Sequence, residues 1–536
     1  MKRIIMALLI LVTAGTAVFA TGGQQTQQSA AGGAPVKISV EVFDRGTDGG
    51  KTNPADNKWT QWIHDKLLRD ENIDVTFVAV PRWSEETALV NLFAAGTPPD
   101  VCYSYNNDNI QGWANQGGLF DVSPYINTTL KDLNAFLDKD KAIPGKQLIE
   151  REIDLSTGAI YRIPAQRMAL ARQVLFMRED WLTILKLPVP TTTEEFHKTL
   201  LAFRDRANEL MAATGVSRIV PANLGTTRID WAVPPIIESF IDPNLSAKDR
   251  WINTVIGSST LLPGFKEALR FINTLYNENL LDKDFPLYAQ TTGADDLLKS
   301  GQVGAYVNEW DDIYREPNGK LSGLKANIPT ANLIPVDCFT NSNGQTVKPI
   351  YDQAGLSYFI PAASKNHNAA MRYLNWLAKY DNYHFLQVGP EGVTHSISAD
   401  GVVKVDATAR PDPTWIMNSN QNIDYTMPMN GLFLETEEAS IRALAAGYVY
   451  PAELIERAYR IALKDGLPPP VVKPSSPLTV AGPLNQTLVD KGGVFLVDLE
   501  TCPSAQFDAK WDAGLKDWLT AGAQAVLDER RAKYPN

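Results

Sequence analysis

The chain has 536 residues, of which 44% are hydrophobic and 21% are charged. This length exceeds what one hydrophobic core normally supports, so at least two domains are expected. The formal net charge is −11, and the sequence contains no cluster of basic residues. Such a balance argues against nucleic acid and anionic lipid as partners, and it favours neutral solutes or other proteins.

The N-terminus has the pattern of a secretory signal peptide. A basic head, Met1-Lys2-Arg3, precedes the apolar stretch Ile4 to Val18, and Val18-Phe19-Ala20 has the small flanking residues that a signal peptidase recognises. A membrane anchor is the alternative, but the apolar stretch is shorter than the roughly 20 residues of a spanning helix. We predict a signal peptide at 1–20, a flexible leader at 21–35 and a soluble periplasmic protein. No cysteine lies near the cleavage site, so a lipid anchor is not expected.

Cysteine and histidine usage argues against a metal enzyme, because the five histidines are isolated and no two of them stand at helical metal spacing. The three cysteines, Cys102, Cys338 and Cys502, allow at most one disulfide, fit no zinc pattern and are expected to be buried free thiols. The segment from Gly46 to Thr52 resembles a phosphate loop, but three residues separate Gly46 and Gly50 where a Walker loop has four. No cofactor and no metal are predicted.

Short strands alternate with amphipathic helices along the chain. The patterns predict strands at 36–43, 73–80, 101–105 and 175–177, a strand entered through 301–306, a threonine-capped helix opening at 190–196, and helices at 57–70, 87–95, 263–279, 369–378 and 507–533. We interpret this rhythm as an α/β fold with parallel-type sheets covered by helices. In such folds the ligand crevice lies beyond the carboxyl ends of the strands.

Several segments resemble, in the same order, those of extracellular solute-binding proteins of carbohydrate ABC importers. They are AGTPPDV (95–101), IYRIPA (160–165), LFMREDWLTILKLPVPTTTEEFHKTLLAF (175–203), GQVGAY (301–306), YFIPAASKNHNAAMRYLNWLA (358–378), GPEGVTH (389–395) and FDAKWDAGLKDWLTAGAQAVLDER (507–530). The nearest resemblance is to the larger, lipoprotein-like members that bind oligosaccharides or uronate oligomers.

The resemblance implies a two-lobed periplasmic-binding-protein fold of type II-like topology, with hinge segments that cross more than once and an interlobe ligand cleft. We place residues 36–155 and 315–400 in lobe 1, and residues 156–314 and 401–536 in lobe 2. The implied function is capture of a sugar, with an oligosaccharide as the first candidate, by lobe closure and its delivery to the membrane subunits of an ABC permease. The protein is expected to be a monomer.

One segment departs from the family pattern. The uronate-binding relatives carry a calcium loop of alternating Asp and Asn after the TTEEF helix, because calcium takes many oxygen ligands from a tight turn. Residues 204–222 lack that alternation, so no calcium site is predicted and a uronate specificity is weakened. The arginines that could hold a polyanion are scattered along the sequence: Arg45, Arg82, Arg167 and Arg228.

A sugar site needs aromatic platforms for the ring faces and planar polar groups for the hydroxyls. Trp181, Trp376 and Trp518 lie on apolar helical faces and are predicted to be core, whereas other tryptophans lie in polar, loop-like surroundings. The predicted ligand-binding residues are Asp44, Arg45, Trp83, Tyr105, Asn106, Gln166, Arg167, Trp231, Asn308, Glu309, Trp310, Asp311 and Trp415, with Trp231 and Trp310 foremost. Loops are polar in any protein, so the prediction depends on the group rather than on one residue.

Two other function classes remain open. A sensory sugar receptor that docks on a chemoreceptor or kinase would use the same shift toward a closed state, and the sequence does not separate it from transport. A secreted glycoside hydrolase would need two carboxylates flanking the scissile bond. Asp311 with Glu309 is not a distinctive pair, so we predict a binding protein rather than an enzyme.

Overall fold

The computed structural model describes residues 33–46, 53–138, 148–224, 233–290, 293–315, 319–405, 415, 424–432, 434–448 and 450–535. The predicted signal peptide and most of the predicted leader lie outside these residues.

Fourteen strands lie in the described part of the chain. They are β1 (Val36–Asp44), β2 (Ile73–Pro81), β3 (Cys102–Ser104), β4 (Ile163–Arg167), β5 (Gln173–Arg178), β6 (Val220–Asn223), β7 (Val303–Glu309), β8 (Leu333–Val336), β9 (Lys348–Pro349), β10 (Ala354–Phe359), β11 (His395–Ile397), β12 (Val403–Val405), β13 (Met429–Asn430) and β14 (Gly466–Leu467).

The α-helices alternate with these strands and dominate the C-terminal third. They are α1 (Lys58–Glu71), α2 (Glu85–Ala94), α3 (Asn107–Asn115), α4 (Lys131–Leu137), α5 (Glu179–Leu185), α6 (Thr193–Asp205), α7 (Ala207–Thr214), α8 (Pro234–Glu238), α9 (Ala247–Asn253), α10 (Phe265–Asn277), α11 (Gly293–Lys299), α12 (Lys320–Asn327), α13 (His367–Leu377), α14 (Tyr380–Val388), α15 (Glu437–Gly447), α16 (Ala452–Leu463), α17 (Ala481–Thr501), α18 (Phe507–Trp518) and α19 (Gln524–Lys533).

Local sequence signals explain where several helices begin. Helix α6 starts at the predicted threonine cap, because the Thr192 hydroxyl accepts a hydrogen bond from the Glu195 amide. Helix α1 has a reciprocal cap in which Asn57 and Thr60 each satisfy the other's backbone N–H. These caps pair amide groups that would otherwise lack partners in the first turn.

The first sheet is built around β1. Strand β1 pairs in parallel with β2 in the register Val36↔Ile73, and a parallel bridge between Val40 and Val101 joins β1 to the start of β3. From β3 the order continues through β10 and β4 to β13. The core on this sheet contains Val40, Trp59 and Trp376, all at most 1% exposed. The β-α-β order predicted for residues 36–80 is therefore confirmed.

The second sheet has the order β6-β7-β5-β8 and is covered on both faces. Side chains alternate across a strand, so Leu175 and Met177 of β5 enter one core while Val174 and Phe176 enter another. This two-sided burial explains why β5 is apolar without interruption from Val174 to Met177.

The prediction of parallel-type sheets is wrong for several pairs. Strand β10 runs antiparallel to β3 and β4, and β5 runs antiparallel to β7 and β8. For one of these pairs the path of the chain gives the reason. Strand β4 carries the chain from the first sheet toward β5 of the second, and β10 brings it back beside β4, so these two strands run in opposite directions.

The connections from β4 to β5 and from β9 to β10 carry the chain between the two sheets. The lobe boundaries stay a proposal, and the strand pairing favours placing two of them in these connections, because β4 pairs with β10 and with β13 of the first sheet. A further crossing follows β13, since α15 contributes Ile441 to a core of the second sheet.

The predicted C-terminal helix is interrupted. Helix α18 ends at Trp518, a π-helical turn spans Leu519–Ala523, and α19 begins at Gln524. The cause is Gly522, whose φ of 133° is a conformation that glycine adopts without steric strain. A Cβ at this position would lie 2.6 Å from Leu484 Cδ1. The break lets Trp518 and Val526 pack into the same core with Leu488 of α17.

Buried residues agree with the core predictions. Trp181 and Trp376 are 0% exposed and Trp518 is 2% exposed. Cys102, Cys338 and Cys502 are buried free thiols, as the sequence predicted.

Gly304 in β7 offers a test of how tightly the second core is packed. A Cβ at this position would lie 2.6 Å from Trp181 Cζ3, 2.7 Å from Phe203 Cδ2 and 2.8 Å from the Pro221 carbonyl oxygen. Replacing Gly304 with alanine should therefore lower the free energy of unfolding by about 1–3 kcal/mol, measured by urea denaturation.

Gly493→Ala is the matched control. Gly493 lies inside helix α17 and nothing lies within 4 Å of a Cβ built there. This change should stabilise by about 0.5–1 kcal/mol, because alanine loses less backbone entropy than glycine in a helix. Equal effects of the two changes would show that Gly304 is not closely packed against Trp181 and Phe203.

Candidate functional site

An aromatic cluster surrounds the guanidinium of Arg82, where strands β1, β2 and β3 end. The Arg82 Cζ lies 4.4 Å from the centre of the Tyr105 ring, 5.1 Å from that of Phe43 and 5.2 Å from that of Trp83. Arg82 also pairs with the buried Glu85 at 3.1 Å. The cluster leaves Trp83 77% exposed and Tyr105 37% exposed, so two flat apolar faces are open to a ligand.

Arg45, the first residue after β1, is held beside this cluster by an ion pair with Asp424. Its Nε and Nη2 donate to the two carboxylate oxygens of Asp424 at 2.5 and 2.8 Å. Burial raises the pKa of Asp424, although the hydrogen bond from Arg45 acts in the opposite direction. Because Asp424 takes up both donating groups, Arg45 serves to hold residue 424 against β1. Neighbouring Asp44 is exposed and accepts a hydrogen bond from the Gly46 amide.

A cavity of about 530 Å³ lies beside the aromatic cluster. Trp83, Tyr105 and Asn106 line one wall, which belongs to the first sheet's side of the molecule. The opposite wall comes from Ile256 and from α17, where the Asn485 amide reaches Glu86 at 3.4 Å. Asn106 donates to the same Glu86 carboxylate at 2.8 Å. The cavity is therefore shared by elements that pack with different cores.

A second group of polar residues, the crossing cluster, lies at the connections between the two sheets. It consists of Arg167, Arg172, Tyr351 and Glu309. The guanidinium carbons of Arg167 and Arg172 lie 3.7 and 5.0 Å from the centre of the Tyr351 ring. The Tyr351 hydroxyl donates to Glu309 at 2.5 Å, and burial raises the pKa of Glu309 despite this hydrogen bond.

Asn430 joins the two groups. Its side-chain amide donates to the Tyr105 hydroxyl at 2.7 Å, and its backbone is paired with Arg167 between β13 and β4. Gly355 makes room for it, since a Cβ there would lie 2.6 Å from Asn430 Cβ. The aromatic cluster and the crossing cluster are thus neighbours on one side of the first sheet.

The structure assembles only part of the predicted set. Residues near one another are Asp44, Arg45, Trp83, Tyr105 and Asn106 around the aromatic cluster, and Arg167 and Glu309 in the crossing cluster. Gln166 precedes Arg167 but is 0% exposed, and neither of its amide atoms has a partner in the described structure.

Other predicted residues lie elsewhere. Trp310 is 4% exposed and packs edge-on against Tyr459 at 4.9 Å, so it offers no face to a ligand in this conformation. Asp311 accepts hydrogen bonds from Arg315 and Tyr448, and Asn308 contacts the Tyr306 hydroxyl.

Two predicted tryptophans remain. Trp415 packs edge-on against Trp59 at 5.0 Å beside the first core. Trp231 lies outside the described residues.

Sequence reasoning missed Arg172, Tyr351, Asp424 and Asn430, and it considered Arg82 only as a possible anion contact. Arg172 and Tyr351 each stand one to three residues before a strand, whereas the prediction examined residues that follow strands. Asp424 and Asn430 carry no motif. Their relevance appears only when β13 is seen to pair with β4.

Glu41 is a buried acid beneath the aromatic cluster. It is 1% exposed, one carboxylate oxygen accepts the Tyr103 amide at 2.9 Å, and the other has no partner in the described structure. Burial raises its pKa well above the ordinary value of 4.5, the hydrogen bond from Tyr103 opposes the rise, and the charge of Glu85 adds to it. A raised pKa in the folded state means that this group stabilises the fold below pH 4.5 and loses that contribution as the pH rises.

Replacing Glu41 with glutamine should remove this pH dependence. We expect the free energy of unfolding at neutral pH to rise relative to the wild type, and its decline above pH 4.5 to become shallower. Urea denaturation across a series of pH values measures both effects. Parallel pH profiles for the two proteins would show that Glu41 does not titrate anomalously.

Neither a metal cluster nor a membrane-spanning helix is found among the described residues. No group of three or more His, Cys, Asp or Glu side chains in that part of the chain is arranged to hold a metal ion. No described helix combines the length and apolar character needed to cross a membrane.

Comparison with known proteins decides the family. The model of the bacterial extracellular solute-binding proteins matches residues 49–383, which is more than half of the chain. The chain belongs to this family. It is 22% identical over 318 residues to the polygalacturonan/rhamnogalacturonan-binding protein of Bacillus subtilis, and 23% identical over 273 residues to the lipoprotein LipO of the same organism.

These alignments cover 58% and 50% of this chain, and 57% and 49% of the two relatives. The chain thus spans about half the length of the curated relatives that it matches.

Solved structures of solute-binding proteins share the fold. An alginate-binding protein solved without calcium has a TM-score of 0.62 at 16% identity, covering 93% of this chain and 98% of its own. A solute-binding protein from Bifidobacterium longum infantis, described as HMO-binding and associated with an ABC transporter, has a TM-score of 0.58 at 16% identity, covering 94% and 99%. These likenesses confirm the predicted two-lobed α/β fold of the family.

Proposed function

We propose that this protein captures an oligosaccharide in the cavity beside Trp83 and delivers it to an ABC permease. One observation carries the proposal: an exposed tryptophan, with Tyr105 beside it, faces a cavity of about 530 Å³ whose opposite wall comes from Ile256 and α17, which pack with a different core. Under this proposal that wall belongs to the other lobe. A ligand that touches both walls stabilises the closed arrangement of the lobes over the open one.

The chemistry of the cavity suits a carbohydrate. Sugar rings have apolar faces that stack on Trp83 and Tyr105. Their hydroxyls find planar partners in Asn106 and Glu86 on the same wall and in Asn485 on the opposite wall. The names of several relatives point the same way, since they describe binding of polygalacturonan, alginate or kestose. A sensory receptor would use the same cavity, and its partner would be a chemoreceptor or kinase.

The surroundings of Asp311 and Glu309 disfavour a glycoside hydrolase. Both Asp311 oxygens are occupied, one by Arg315 and the other by Tyr448. Glu309 accepts hydrogen bonds from Tyr351 and Gln173. Carboxylates held in this way are poorly placed to protonate a glycosidic oxygen and activate a water on opposite faces of a sugar.

Isothermal titration calorimetry against neutral and acidic oligosaccharides and their monosaccharides tests the proposal. We expect at least one oligosaccharide to bind with one site per chain and more tightly than its monosaccharide, because more rings contact the cavity. Prolonged incubation should release no new reducing ends. Lack of heat across the panel would contradict sugar capture, and release of reducing ends would make the protein a hydrolase.

We further propose that the chain is exported and acts in the periplasm, as the N-terminal pattern predicts. Mass spectrometry of the protein purified from its natural host checks this directly. Cleavage after Ala20 is the expected result.

A further inference from the structure

Two arginines of the crossing cluster share one neighbouring carboxylate, that of Glu309, and neither forms an ion pair with it in the described structure. Arg167 ends β4 and Arg172 precedes β5, so both stand on the connection that carries the chain from one sheet to the other. Their guanidinium groups lie near the same Tyr351 ring, at 3.7 and 5.0 Å from its centre. Both side chains are partly buried, and the Nε of each is buried without an acceptor in the described structure.

Other arginines on this side of the molecule form ion pairs with acidic side chains. Arg45 is paired with Asp424 at 2.5 Å, Arg82 with Glu85 at 3.1 Å and Arg151 with Asp352 at 2.7 Å. No ion pair involves Arg167 or Arg172 anywhere in the part of the chain that the structure describes. Two partly desolvated positive charges side by side repel each other, and the single carboxylate of Glu309 balances at most one of them. An anion that joins both guanidinium groups would therefore stabilise them.

The surroundings hold the two guanidinium groups in position. Tyr351 is fixed by the hydrogen bond from its hydroxyl to Glu309, and its ring supports both cations by cation–π attraction. Asn430 places the group next to Tyr105 and hence next to the aromatic cluster. The crossing cluster does not line the cavity, so a ligand stacked on Trp83 and Tyr105 must extend past Tyr105 to reach these charges.

We propose that Arg167 and Arg172 bind a carboxylate of the sugar, so that the ligand is a uronate-containing oligosaccharide. A guanidinium presents a planar fork of N–H donors that matches the two oxygens of a carboxylate. This inference depends on the proposed function, because it assigns a substrate class to the same interlobe site. Arg172, which is not among the arginines named from the sequence, supplies a second guanidinium beside that of Arg167.

The test compares ligands that differ only in the carboxyl group. Short oligomers of galacturonate, their methyl esters and the corresponding neutral galactose oligomers are titrated into the full chain by calorimetry. We expect the free acid to bind at least about tenfold more tightly than the ester or the neutral sugar, as loss of a charge-assisted hydrogen bond implies. Oligomers of mannuronate serve as a second acidic probe.

Variants assign the effect to residues. Arg167→Gln and Arg172→Gln should each weaken binding of the acid about tenfold or more while leaving binding of the methyl ester almost unchanged. Arg206→Gln is the matched control, because Arg206 pairs with Glu209 on the surface of α7. Thermal unfolding of each variant checks that the fold is intact.

The outcomes separate this inference from the proposed function. Equal binding of acid, ester and neutral sugar, or unchanged binding of the acid by both variants, would overturn the uronate assignment and leave oligosaccharide capture standing. Failure of every sugar to bind would overturn both.

Discussion

Replacing Asp424 with alanine should lower the free energy of unfolding by about 3 kcal/mol. The side chains of Arg45 and Asp424 are 15% and 6% exposed, so the change leaves a guanidinium in a poorly solvated place without its acceptor. Urea denaturation at neutral pH measures the effect, and loss of oligosaccharide binding should accompany it because Arg45 adjoins the aromatic cluster.

Two controls test the cause of this loss. Asp205→Ala removes the acidic partner of Arg204 in a surface ion pair. The Asp205 side chain is 59% exposed, so this change should leave the unfolding midpoint almost unchanged. The double change Arg45→Met with Asp424→Leu should recover most of the stability, because no buried charge is then left unpaired. A double variant as unstable as Asp424→Ala would show that the ion pair is not the origin.

Replacing Trp83 with alanine should weaken oligosaccharide binding about tenfold or more without lowering stability. The indole is 77% exposed in the free protein, so its removal disrupts little of the folded chain. In the complex the variant would lack the apolar face on which a sugar ring stacks. Burying a tryptophan side chain contributes enough binding free energy to account for a tenfold change in affinity. Calorimetric titration and urea denaturation of the same preparation measure both quantities.

Trp415→Ala is the natural comparison. Trp415 packs against Trp59 and Phe385 beside the first core, so its loss should lower stability more than affinity. The proposed stacking role of Trp83 would be contradicted if its alanine variant bound every sugar as tightly as the wild type.

Much of the fold could be predicted from local pattern. Alternation and capping predicted β1, α1 and β2 to within a few residues and located the start of α6, because these features follow from side-chain periodicity and from the N-cap. Strand direction could not be read in the same way, since it depends on which lobe the chain comes from. The break at Gly522 was missed because a single glycine inside an apolar periodic helix carries no local warning of the contact with Leu484.

The site was less predictable than the fold. Trp83, Tyr105 and Asn106 follow strands whose ends meet, so the rule that ligands gather at strand ends placed them together. Trp310 also follows a strand, but α16 covers it with Tyr459, and a polar sequence neighbourhood does not reveal such cover. Arg172, Tyr351 and Asn430 come together through chain crossings and long-range strand pairing, which a single sequence does not specify.

Small-angle X-ray scattering tests most directly the central claim that a sugar is captured between the lobes. The radius of gyration should fall when a tightly bound oligosaccharide saturates the site, while the scattering mass stays that of one chain. Saturable binding, shown by calorimetry in the same buffer, with an unchanged radius of gyration would contradict capture by lobe closure.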